Sequence, residues 1–186
     1  IRDGFLLSTP LLIVGSVFLL IANFPLPQWD TWMSHLLGKD WATMMSVPAS
    51  ASFDVMTILA VVGIAYSLGK QFNVDAMQAG IIALVSFFIV TPYQTLFTPE
   101  NSSKVYEVTS LPLKWMGSSG LFLGMIVALI ATRLFVAIVR KGWTIKMPEG
   151  VPPTVVKSFE ALIPSFLVVT LMFLVNWLAA LTPYGN

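Results

Sequence analysis

The sequence predicts an all-α membrane protein with about five transmembrane helices, an interfacial amphipathic helix and a small polar outer loop able to form a hairpin. Three observations carry this. Of 186 residues, 56% are apolar and only 10% charged, against about 25% charged in an average soluble domain, too few to solvate a single-core surface. Mean hydropathy is +0.83. The charges also leave five windows free: 4–29, 55–69, 76–99, 115–132 and 161–186. A bilayer-spanning helix needs about 20 mostly apolar residues. Four windows reach or nearly reach that length, and the second does so once 49–53 are added at the cost of including Asp54.

The first span is read as 5–24, with Pro10 kinking it and the Ser8 and Thr9 hydroxyls able to satisfy the freed carbonyl. Pro25 and Pro27 stop it. From Gln28 to Met45 the chain mixes Trp29, Trp32 and Trp41 with Asp30, His35, Lys39 and Asp40, the composition of a short helix lying in the headgroup region. The second span covers 50–68, and Gly69 to Asn73 connects it to the third, 76–97, which carries Pro92 near its end. The stretch 98–113 is polar and turn-rich, with β-branched alternation around Val105 to Val108 that suits a hairpin or an irregular cap. The fourth span is 117–139; a basic connector containing Pro148, Pro152 and Pro153 must leave the bilayer; the fifth span is 162–181.

Orientation follows from the retention of Lys and Arg on the cytoplasmic side. With the amino end inside, inner segments hold Arg2, Lys70, Arg140, Lys141, Lys146 and Lys157, and outer ones Lys39, Lys104 and Lys114. The acidic Asp30, Asp40, Glu100 and Glu107 then fall outside, as does the tail from Thr182. A chain with no cysteine has no disulfide, thiolate metal site or cysteine nucleophile, and a net charge of +1 leaves no footprint for nucleic acid. The first apolar run exceeds an ordinary signal-peptide core and begins at Ile1, so the chain is expected to be a piece of something longer.

Few residues are candidates for chemistry. Asp54 is either a cap or interfacial anion in the first turns of a helix or a buried proton or ligand partner. Arg133 either snorkels to the interface or joins an ion pair within the bundle. His35, the only histidine, sits among interfacial tryptophans on the outer face, an unpromising place for general-base chemistry. Lys157 and Glu160 have the spacing of an (i, i+3) pair, and Asp3, Asp75 and Glu149 are the other inner carboxylates. Gly120 and Gly124, preceded by Gly117, have small-xxx-small spacing, for packing either within the chain or between protomers. No P-loop, GxGxxG, HExxH or EF-hand pattern occurs, so no catalytic residue, metal ligand or cofactor is expected.

The stretch Gly142 to Phe166 (GWTIKMPEGVPPTVVKSFEALIPSF) strongly resembles the cytoplasmic connector and following span of the lactose/cellobiose/diacetylchitobiose family of phosphotransferase-system sugar permeases, enzyme IIC. Asn73 to Met77 and Ile89 to Tyr93 agree with the same family. The resemblance implies a homodimer of ten-span protomers, whose first five helices form a scaffold and dimer-interface half and whose last five hold the sugar. It implies that residues 1–186 are the first half alone, non-catalytic by itself. The family's Phe-Gly-x-His-Gly and Asn-Glu-Pro motifs are absent, so no sugar-binding residue is carried over. The implied partners are enzyme IIB, which donates the phosphoryl group, and through it enzyme IIA; Arg140, Lys141 and Lys146 form a basic patch that either attracts enzyme IIB or reflects positive-inside retention alone. In a bacterial permease the sequon Asn101-Ser102-Ser103 carries no meaning. The rival reading is a self-contained five-span scaffold or channel with no sugar-transport role.

Overall fold

Prolines set where several of the helices stop. In the computed structural model, which describes residues 2–98, 104–148 and 150–181, α1 (Arg2–Leu6) ends four residues before Pro10 and α2 (Thr9–Ala22) begins beside it. A proline ring clashes with the carbonyl four residues back and offers no N–H to it. The kink expected at Pro10 falls between α1 and α2, where Ser8 keeps a helical backbone at φ −86° and ψ −17° and its hydroxyl donates to the Phe5 carbonyl at 2.7 Å. The same rule separates α9 (Pro153–Glu160) from α10 (Leu162–Ala180): Pro164 lies four residues after Glu160. Pro92 acts on its predecessor, holding Thr91 extended at φ −93° and ψ 135°, and so ends α6 (Ala76–Val90). The third span stops there, not at residue 97.

Residues 94–97, expected to finish that span, form strand β1 (Gln94–Phe97), antiparallel to β2 (Tyr106–Thr109) with Gln94 opposite Thr109 and Phe97 opposite Tyr106. The hairpin thus starts earlier than the polar stretch 98–113. Glu100, the 101–103 sequon, Glu149 and the tail from 182 lie outside the described residues.

Only the first part of the expected interfacial helix stands apart, as α3 (Trp29–Leu37). Trp41, Met44 and Met45 belong instead to α4 (Trp41–Phe53), which continues across a break at Asp54 and Val55 into α5 (Met56–Gln71). Trp41 is not a surface residue: it is 1% exposed. Its indole Nε1 donates to Asp30 Oδ1 at 3.0 Å, and its ring meets Trp29 edge-on at 6.5 Å. Trp29 in turn lies 5.2 Å from Phe24 and donates to the Ile21 carbonyl at 2.8 Å, so aromatic contacts pin the loop between α2 and α4.

The short α7 (Leu113–Met116) and a 3₁₀ turn (Ser118–Gly120) lead into α8 (Leu121–Arg140). Helices α5, α6, α8 and α10 pack together around Ala83, Phe87, Ala128, Ala131, Phe135 and Val168, all buried. Helix α1 lies on α5, and α2 pairs with α4. Among the described residues four segments are long and apolar enough to cross a membrane: Arg2–Ala22, Trp41–Gln71, Ser118–Arg140 and Pro153–Ala180; Ala76–Val90 is a shorter apolar helix.

Candidate functional site at the basic end of the bundle

Lys70, Arg140 and Lys141 share one end because α5 and α8 finish there in the same way. Asn73 takes the left-handed conformation at φ 56°, which asparagine tolerates better than most residues, while Val74 N–H returns to Gly69 O at 3.0 Å and Asn73 N–H to Lys70 O at 3.2 Å. Gly142 does this for α8 at φ 74°, with Trp143 N–H to Ile138 O and Gly142 N–H to Val139 O. Both helices therefore end in Schellman turns that satisfy their last carbonyls.

The first of these turns presents Phe72 and Asp75. Asp75 caps α6 by accepting from Gln78 N–H at 3.0 Å, and Lys157 Nζ lies 3.6 Å from its other oxygen. The expected Lys157–Glu160 pair is thus replaced by a pair between α9 and the start of α6, because the helix ends bring a distant carboxylate closer than the spacing suggests. Asp75, Lys157 and Glu160 line a cleft of about 70 Å³ with Phe135, Val139, Thr144 and Ala161. That is far below the roughly 300 Å³ at which small-molecule sites begin.

Arg133 and Arg140 both stack on Phe72, their guanidinium carbons 5.2 and 5.4 Å from the ring centroid. Arg140 Nη2 also donates to the Phe72 carbonyl at 3.4 Å. Arg133 is exposed on α8 and makes no ion pair with a described carboxylate. In the predicted basic patch, Lys141 lies over the Trp143 ring at 5.4 Å and Lys146 is exposed in the connector, while Arg140 is turned toward α5.

At the opposite, hairpin end, Asp54 closes α4: its N–H donates to Ser50 O at 2.9 Å, and α5 starts from Val55 with no side-chain cap. The capping role read for Asp54 at the start of a span is therefore not made by its carboxylate. It faces an opening of about 330 Å³ shared with Lys114, Ser118 and Ser119. His35 is exposed on α3 beside Asp30, Ser34 and Lys39, with no nucleophile or metal cluster near it among the described residues.

Between the two ends the interior holds no charge among the described residues. Its buried polar side chains are Ser8, Thr57, Ser86, Thr91 and Thr132. Ser86 and Thr91 donate to carbonyls one turn back, and Thr57 Oγ1 reaches the Gly117 carbonyl at 2.6 Å. Only Thr132 Oγ1 is left without a partner among them. The three glycines serve internal packing: Gly117 lies against the α4–α5 break, a β-carbon at Gly120 would overlap the Trp115 carbonyl, and one at Gly124 would lie 2.6 Å from Thr57 Cγ2. Sequence reasoning missed the Thr57–Gly117 bond and the bond from Asn176 Nδ2 to Ile89 O at 3.0 Å. An isolated Asn within the last apolar run was the available signal for the second.

Membrane-length apolar helices around an uncharged interior, with most of the basic residues at one end, define a multi-pass membrane protein. The chain belongs to the phosphotransferase system EIIC family, whose model matches residues 2–186. It is 41% identical over its whole length to the PTS system cellobiose-specific EIIC component of Geobacillus stearothermophilus. It is 42% identical to the lichenan permease IIC component of Bacillus subtilis (strain 168). The crystal structure of the transporter ChbC, the IIC component from the N,N'-diacetylchitobiose-specific phosphotransferase system, superimposes with a TM-score of 0.93 at 42% identity, covering 100% of this chain and 43% of that one. The chain spans 42% of the cellobiose and 41% of the lichenan relative.

Proposed function

We propose that this chain is the frame and dimer-interface half of an enzyme IIC that brings a β-linked disaccharide, such as cellobiose, lactose or diacetylchitobiose, into the cell. The observation that carries this is the interior itself. A sugar site needs several convergent polar groups, and the buried ones among the described residues are small hydroxyls, nearly all committed to backbone carbonyls. Cargo binding then falls to the part of the permease outside this chain, and residues 2–181 provide packed helices against which that part moves. The names of the relatives support the sugar class.

The amino end is cytoplasmic in this reading, because Lys70, Arg140, Lys141, Lys146 and Lys157 share one end. Enzyme IIB, charged through enzyme IIA, docks on that face, passes its phosphoryl group from a cysteine sulfur to a sugar hydroxyl, and leaves as the free thiol. Lys141 and Lys146 are the exposed charges best placed to attract it. The protein works as a homodimer.

The test is uptake of labelled disaccharides by vesicles holding the full-length permease, with enzymes IIA and IIB and phosphoenolpyruvate on the cytoplasmic side. Phosphorylated sugar should appear inside only when enzyme IIB is present, and Lys141→Gln with Lys146→Gln should slow it most at low salt. Accumulation of unmodified sugar, or no uptake of any of the three, would contradict the reading.

A further inference from the structure

Helix α8 carries an exposed stripe made of Phe122, Ile126, Ile130, Arg133, Ala137 and Arg140. Steps of three and four residues place them on one helix face. The stripe is apolar for its first half and ends in two arginines a heptad apart, about 10 Å along the axis. Both guanidiniums converge on the Phe72 ring. Neither has a carboxylate partner among the described residues: the ion pairs there are Arg2–Asp3 and Lys157–Asp75. Asp75, the acidic residue closest in sequence to Phe72, is already occupied by Gln78 N–H and Lys157.

Two cations drawn to one ring at the edge of a membrane repel each other and call for an anion. Ala137, the small residue of the stripe, lies between them in sequence and is exposed. A soluble anion would reach Arg140 but gain nothing from Ile130, Ile126 and Phe122, and Arg133 lies deeper than the helix end. An amphiphile fits both halves of the stripe, and basic sites beside membrane helices on the cytoplasmic side hold anionic headgroups.

We propose that α8 binds one anionic phospholipid, its phosphate on Arg133 and Arg140 and an acyl chain along Ile130, Ile126 and Phe122. The site is independent of which sugar is carried.

The full-length permease, stripped of lipid and given equimolar phosphatidylglycerol and phosphatidylcholine, is to be examined by native mass spectrometry. It should retain phosphatidylglycerol selectively, and Arg133→Gln or Arg140→Gln should each lower that preference roughly fivefold. Lys141→Gln and Lys146→Gln should leave it unchanged, and an excess of inorganic phosphate or glycerol 3-phosphate should not displace the lipid. In the unaltered protein, phosphatidylglycerol with a photoreactive acyl chain should label α8 near Ile130. Equal retention of the two lipids, indifference to both arginine variants, displacement by free phosphate, or labelling that spares α8 because another surface covers it would each overturn the proposal.

Discussion

A full-length permease carrying Gly63→Val is expected to accumulate poorly and to elute from size exclusion as aggregate, because Gly63 is where α1 and α5 touch backbone to backbone. A β-carbon there would fall onto the Gly4 carbonyl oxygen, and one on Gly4 would lie 2.6 Å from the Gly63 oxygen and closer still to Ile64 Cα. Overpacking generally costs about 1–3 kcal/mol, and rotamer changes absorb part of it. Here both obstacles are main chain, so the helices must part. Helix α1 has five residues and buries only Gly4 among them, leaving it little else to hold it on α5. Gly80→Ala is the matched control: its β-carbon would meet Val62 at 3.4 Å, an ordinary contact, and it should elute like the parent. Equal behaviour of the two variants would show that the α1–α5 crossing is looser than described.

The second large effect is expected at Gly124, where α8 crosses α5. A β-carbon would sit 2.6 Å from Thr57 Cγ2 and 2.8 Å from Val61 Cγ2. Thr57 cannot rotate away freely, because its hydroxyl donates to the Gly117 carbonyl and both groups are inside the protein. Gly124→Ala should therefore destabilise the detergent-solubilised permease by the overpacking cost of about 1–3 kcal/mol, read as a lower thermal midpoint. Thr57→Ser keeps the hydroxyl and removes the methyl in the way. Added to Gly124→Ala, it should return part of the lost stability, a positive coupling that a double-mutant cycle measures. Additive losses would mean that the Thr57 methyl is not what meets the new β-carbon.

How far the molecule can be read from its residues depends on the range of the interaction involved. Solvation by lipid acts on composition, so charge-free windows locate the helices. Proline acts over four residues, and the breaks before Pro10 and Pro164 follow from the same steric rule once it is applied strictly. Trp41 is different: the residue type that anchors helices in headgroups also fills cores, and only its bond to Asp30 and its contact with Trp29 decide which. The Lys157–Asp75 pair and the Asn176 bond to Ile89 O join distant stretches, and no local spacing encodes them. In the basic patch, Lys141 and Lys146 are exposed as their composition suggests, whereas Arg140 is drawn aside by Phe72, a partner on another helix.

These helices are expected to stay fixed relative to one another while the permease works. Asp75 and Lys157 bridge α6 and α9 at the basic end, with 3.6 Å between their charged atoms. In a full-length permease with Asp75→Cys and Lys157→Cys, a short bis-methanethiosulfonate reagent would tie the two helices together, and a reductant would release them. Sugar uptake should be the same before cross-linking, while cross-linked and after release. Loss of uptake on cross-linking, restored by the reductant, would show that this half moves during transport and contradict the account of it as a frame.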